Sequence, residues 1–166
     1  MDPAKNIQEI QVGIADYKTA REPARLITLG LGSCVGIGIY DPLLRIGGLL
    51  HIMLPDSSQF NNLTRPAKFA DLGIPLMLKD LARQGASVRR LQAKLVGGAQ
   101  MFSGLGDKMV LNIGQRNIEA SRRLLIEMGI KILSEDLGGN KGRTMIVDIS
   151  TGLVTVRTLG SQLKVI

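Results

Sequence analysis

At 166 residues, 45% hydrophobic and 21% charged, the chain is long enough for one domain to bury about two thirds of its unfolded surface, which excludes an intrinsically disordered protein and a small scaffold that needs staples. Aromatic residues make up 3%, with no Trp, so the core must be aliphatic, and the single Cys excludes an intramolecular disulfide. The net charge of +7 favours an acidic partner, but dispersed basic residues, few stacking aromatics and no zinc-finger or RNP-like string argue against nucleic acid.

Met1-Asp2-Pro3-Ala4-Lys5-Asn6 contains no apolar h-region, and the longest apolar stretches are short and interrupted by glycine. A cytoplasmic protein with no signal peptide and no membrane insertion is expected. The chain reads as a single domain over 1–166, with 1–9 as a flexible N-terminal tail.

In chain order, Ile10, Val12 and Ile14 alternate with polar residues, predicting a half-buried strand from Ile10 to Tyr17. Arg25 to Leu31 reads as a strand ending in Gly30-Leu31-Gly32. Val35, Ile37 and Ile39 alternate with Gly and Tyr up to the Asp41-Pro42 turn signal, and Ile46 to Leu54 forms an apolar run suited to a buried strand. A polar loop, Gln59 to Thr64, precedes a helix over Pro66 to Gln84, with Phe69, Leu72, Leu76 and Leu81 on its inner side, Gly85 at its cap and Pro75 as a kink or first-turn residue. Leu91 to Val96 is a strand closed by Gly97-Gly98. Arg116 to Met128, ended by Gly129, is a second helix. Lys131 to Glu135, Thr144 to Ile149 and Leu153 to Leu159 complete the strands. Strands outnumber helices and connect mostly as hairpins, so the expected class is α+β: a layered sandwich with a mainly antiparallel sheet and two main helices.

The most informative string is Thr28-Leu29-Gly30-Leu31-Gly32-Ser33-Cys34-Val35-Gly36. Its glycines approximate a dinucleotide fingerprint, and Gly32 to Gly36 matches the spacing of a nucleophile elbow. Both motifs must open a helix, whereas the residues after Cys34 alternate as a strand. A turn between two strands, with Cys34 at the start of the second, remains. Small neighbours leave room for a substrate, and N–H groups around Gly32 and Ser33 can face a developing oxyanion. An inert buried thiol is the competing reading.

His51 is the one histidine. A hairpin turning near residues 42 to 44 sets Cys34 and His51 at similar heights on neighbouring strands, where imidazole can draw the proton from the thiol to give a thiolate–imidazolium pair. A core histidine held by a backbone carbonyl is the alternative. One His and one Cys cannot complete a zinc shell without two carboxylates, and no ligand spacing is present, so neither metal nor cofactor is expected.

At these residues the sequence resembles the CheD family of chemoreceptor glutamine deamidases. The likeness runs from about Val12 to Val156. It rests on Thr28 to Val35, Gly48-Leu49-Leu50-His51-Ile52-Met53-Leu54-Pro55, Ala93 to Phe102, Ile113-Gly114-Gln115-Arg116-Asn117, and Asp136-Leu137-Gly138-Gly139 with Gly142-Arg143. The resemblance implies a sandwich similar to bacterial toxin deamidase domains, with Cys34 as nucleophile, His51 as general base and acid, and Thr28 as the group orienting His51. It also implies a receptor glutamine as substrate and the phosphatase CheC as partner. Gly97-Gly98-Ala99 and Gly138-Gly139 read as tight turns, and Arg143 as a salt-bridge partner or a substrate contact. Two alternatives stand beside the deamidase: a module that binds receptor and CheC with little or no catalysis, and a cysteine hydrolase of another amide.

Overall fold

The computed structural model describes residues 6–101 and 112–166. Among the described residues, ten strands form two five-stranded sheets. The outer sheet contains β1 (Gln8–Gln11), β3 (Ala24–Leu31), β8 (Arg143–Asp148), β9 (Val154–Thr158) and β10 (Lys164–Val165), in the order β1-β3-β8-β9-β10. The inner sheet contains β2 (Asp16–Arg21), β4 (Val35–Asp41), β5 (Ile46–Ile52), β6 (Gln92–Gly97) and β7 (Lys131–Leu137), in the order β2-β5-β4-β6-β7. Among these ten strands, β1–β3 and β6–β7 pair in parallel and the other neighbours antiparallel. Two helices, α1 (Ala70–Arg83) and α2 (Ile113–Glu127), cover the free face of the inner sheet. The result is a helix–sheet–sheet sandwich of the α+β class, as the element pattern predicts.

The layering explains the glycine-rich strands. All seven residues of β4 and all seven of β5 are buried, because helices cover one face and the outer sheet the other. Val35, Ile37, Ile39, Leu50 and Ile52 pack under the helices. Tyr40 and Leu49 join Leu26, Leu31, Met145, Val147 and Val156 between the sheets. Gly36 faces that second core: a Cβ there would lie 2.7 Å from the Met145 sulfur and 3.1 Å from a Leu31 methyl carbon. The alternation of β4 is thus branched aliphatic towards the helices and glycine towards the other sheet. Asp41, fully buried, closes the hairpin by accepting the N–H groups of Leu43 and Leu44 and an ion pair from Arg90 at 2.8 Å.

Four details differ from expectation. The strand predicted from Ile10 to Tyr17 is two strands in different sheets, broken where Ala15 takes φ +58° and Ile14 turns outward, 51% exposed. Gln8 and Glu9, expected within a flexible tail over 1–9, pair instead with Ala24 and Arg25. The helix predicted from Pro66 is a 3-10 turn (Pro66–Lys68) followed by α1, which accommodates Pro75 internally. Its buried face is Ala70, Gly73, Ile74, Met77 and Leu81, while Leu76 is 36% exposed. Gly73 decides that face, because a Cβ there would crowd Leu50 and Ala67 at 3.1 and 3.2 Å.

Candidate active site

Thr28 and His51 touch across the seam between the sheets, and Cys34 lies in the turn at the same end of the β4–β5 hairpin. Thr28 is on β3 of the outer sheet, His51 on β5 of the inner sheet, and Cys34 in the turn that leads into β4. β4 and β5 pair so that Gly36 lies opposite His51. Cys34, two residues before Gly36, therefore shares the His51 face, and that face looks towards the outer sheet. The predicted hairpin brings thiol and imidazole to the same side. Thr28 and His51 are fully buried, and Cys34 is half-buried.

The hydrogen bonds determine the tautomer of His51. Thr28 Oγ1 donates its one proton to the Val12 carbonyl at 2.7 Å. The same oxygen lies 2.7 Å from His51 Nδ1, and having no second proton it can only accept there. Nδ1 therefore carries the hydrogen and Nε2 keeps its lone pair. Nε2 is buried and makes no hydrogen bond, so it is the free basic atom of the site.

Burial acts on both titrating groups of the site. It lowers the His51 pKa from 6.5 to about 4. Burial also pushes the Cys34 thiol up, opposed by the residue's own backbone N–H. No hydrogen bond joins the two side chains. Burial thus acts against both charged forms of the thiolate–imidazolium pair expected from the sequence.

The Cys34 turn is braced from three directions. The Gly32 carbonyl accepts Ala99 N–H at 2.8 Å, the Cys34 carbonyl accepts Gly98 N–H at 2.8 Å, and the Ser33 carbonyl accepts Asn117 Nδ2 at 3.0 Å. Gly32 N–H is itself spent on the Gly30 carbonyl at 3.0 Å. Of the predicted oxyanion donors, then, Gly32 is occupied; Ser33 and Cys34 N–H make no backbone hydrogen bond among the described residues. Arg143 is a brace: its guanidinium donates to the carbonyls of Gly97 at 2.9 Å and Gly138 at 2.6 Å and lies 3.1 Å from Asp136. Among the described residues no group of three or more His, Cys, Asp or Glu gathers to hold a metal ion, and no helix is long and apolar enough to cross a membrane.

Sequence reasoning missed two participants. The Val12 carbonyl is backbone and leaves no side-chain signal. Asn117 was visible only as the last residue of the string from Ile113, and Phe102, which ends another such string, lies outside the described residues.

A buried imidazole with one free nitrogen, on the sheet face that a half-buried thiol shares, has the ingredients for thiol attack on an acyl carbon. Residues 53–158 match the profile of the family described as CheD chemotactic sensory transduction. The chain is 67% identical over 166 residues to the probable chemoreceptor glutamine deamidase CheD of Desulforamulus reducens, covering 100% of both chains. It is 57% identical over 158 residues to the protein of the same name from Clostridium kluyveri, covering 95% of this chain and 98% of that one. A solved structure, the hypothetical protein YfiH of Bacillus licheniformis, is similar over 73% of this chain and 50% of its own, with 18% identity and a TM-score of 0.47. This chain belongs to the CheD family.

Proposed function

We propose that the chain is a cytoplasmic chemoreceptor glutamine deamidase in which Cys34 is the nucleophile, His51 the general base and acid, and Thr28 the residue that orients His51. The observation that carries this reading is the Thr28–His51 contact, which leaves Nε2 bare on the face that Cys34 shares. As a receptor glutamine enters, Nε2 takes the thiol proton while sulfur bonds to the carboxamide carbon. The carbonyl oxygen becomes an oxyanion facing the Ser33 and Cys34 N–H groups. Collapse breaks the C–N bond; His51 returns the proton and ammonia leaves a thioester. Water then gives a proton to His51 and its oxygen to the carbon, the C–S bond breaks, and glutamate departs as Cys34 recovers its proton. The net charge of +7 suits a Glu-rich receptor helix, and CheC is the expected regulatory partner.

The direct test incubates the protein with receptor cytoplasmic fragments and follows Gln-to-Glu conversion by mass spectrometry. Binding of the fragment without conversion would instead assign the chain to the non-catalytic module. Thr28→Val keeps the shape and removes the hydroxyl, so Nδ1 loses its acceptor. A roughly 10- to 100-fold lower kcat with a folded protein is expected; full activity would remove Thr28 from the set.

The pH profile has a defined sign. His51 must be neutral to accept the thiol proton, and burial lowers its pKa to about 4. The base form therefore persists below the ordinary histidine range, and the acid limb of kcat/KM is expected at about 4, with folding monitored by circular dichroism. A limb at about 6.5, the unperturbed histidine value, would contradict a buried neutral base.

A further inference from the structure

The peptide units around Cys34 are oriented by their acceptor partners. In a trans peptide the N–H points opposite to the C=O of the same unit. Pinning the Gly32 carbonyl to Ala99 N–H turns Ser33 N–H the other way, and pinning the Ser33 carbonyl to Asn117 turns Cys34 N–H the other way. The Gly32 and Cys34 carbonyls are held by backbone continuing from β6. Among the described residues, the Ser33 carbonyl between them is held by a side chain alone.

That side chain does two things at once. Asn117 Nδ2 also donates to the Met53 carbonyl at 2.9 Å, two residues beyond His51. One amide group thus ties the turn bearing the thiol to the strand bearing the imidazole. Its delivery is built into the packing. A Cβ on Gly114 would lie 2.6 and 2.7 Å from the Ala99 and Gly98 carbonyl oxygens, and one on Gly98 would lie 2.4 Å from Ile118. Glycine at both positions lets α2 press against the end of β6, which brings Asn117 within reach of the Cys34 turn. Stability alone does not favour an amide at this position. Asn117 is fully buried and its Oδ1 has no partner among the described residues, so its carbonyl gives up hydration without a replacement.

Building on the deamidase reading, we propose that Asn117 is a positioning residue: it orients the Ser33–Cys34 peptide so that Cys34 N–H faces the sulfur and the oxyanion of the substrate. The burial-raised thiol, opposed by that same N–H, is consistent with the assignment. Asn117 does not touch the substrate; it acts through the peptide that does.

The test compares wild type with Asn117→Leu, which keeps the size and removes both donors, and with Asn117→Ser, a smaller polar replacement that serves if the leucine variant does not fold. Thermal unfolding establishes that each variant is folded at the assay temperature. Two readouts follow: kcat and KM on receptor fragments, and the pH dependence of Cys34 alkylation by iodoacetamide. Expected are a kcat lower by roughly 10²-fold, the lower end of the range for loss of one oxyanion donor, a KM within about twofold, and an alkylation midpoint about one pH unit higher. A purely structural residue would leave the alkylation midpoint of the folded variant in place, and an unmoved midpoint overturns the proposal. So does a wild-type kcat. If the wild-type protein alkylates normally but converts no glutamine, the deamidase reading fails while the alkylation comparison still decides the role of Asn117.

Discussion

Replacing Cys34 by serine is expected to lower Gln-to-Glu conversion by at least about 10³-fold while leaving the protein folded. The size of the effect follows from how weak a base the site contains. Burial lowers His51 to about 4, so Nε2 is a poor acceptor for a hydroxyl proton, whose donor is far less acidic than a thiol. Sulfur needs less help, being the stronger nucleophile at a given degree of ionisation. Serine is close to cysteine in size, and the site is half-buried, so the fold has little reason to change. Conversion at the wild-type rate by the folded serine variant would remove the thiol from the mechanism.

Gly97→Ala is expected to damage both stability and activity, and for one geometric reason. Gly97 has φ +116°, and a Cβ there would lie 2.3 Å from the Cys34 carbonyl oxygen and 3.3 Å from its carbon. Both atoms are backbone, so no side-chain rotation relieves the overlap. Either the end of β6 parts from Val35, its partner in the ladder, or the Cys34 turn moves. Gly160 supplies the control: it has φ +77° with nothing within 4 Å of its Cβ position, so Gly160→Ala incurs backbone strain without a clash. Strain of this kind costs about 1–3 kcal/mol. Gly97→Ala should exceed the Gly160→Ala loss in urea denaturation and lower kcat by more than about 100-fold, because the displaced atoms adjoin the thiol. Equal effects from the two variants would mean that the close approach of β6 does not shape the site.

The parts of this molecule that were legible in the sequence are those where side-chain pattern and backbone role coincide. β4 and β5 stood out because strands buried on both faces are almost entirely apolar or glycine, here with Asp41 and His51 as the exceptions, and the Asp41-Pro42 signal marks the turn between them. Register followed from that hairpin, and with it the shared face of Cys34 and His51. The break between β1 and β2 was hidden because Ile10, Val12 and Ile14 keep a period of two across it, although Ile14 is exposed. β10 is two residues long and exposed, too short to leave a pattern. Thr28 looked like any strand threonine, and only the family resemblance singled it out. Asn117 was obscured because a polar residue on an amphipathic helix normally faces water; nothing in its neighbours announces that α2 turns it inward.

The acceptor behind Thr28 is the main-chain carbonyl of Val12, and this has a consequence for how such sites change over time. No substitution at position 12 deletes a carbonyl, so the last link of the relay is lost only if the path of the chain between β1 and β2 shifts, as it would for proline, which removes the Val12 N–H bonded to the Ile27 carbonyl at 2.7 Å. Insertions or deletions among the first dozen residues can therefore silence the base while every side chain at the site stays the same. Two relatives with identical Thr, Cys and His could differ in activity for this reason, and a residue-by-residue comparison would miss it.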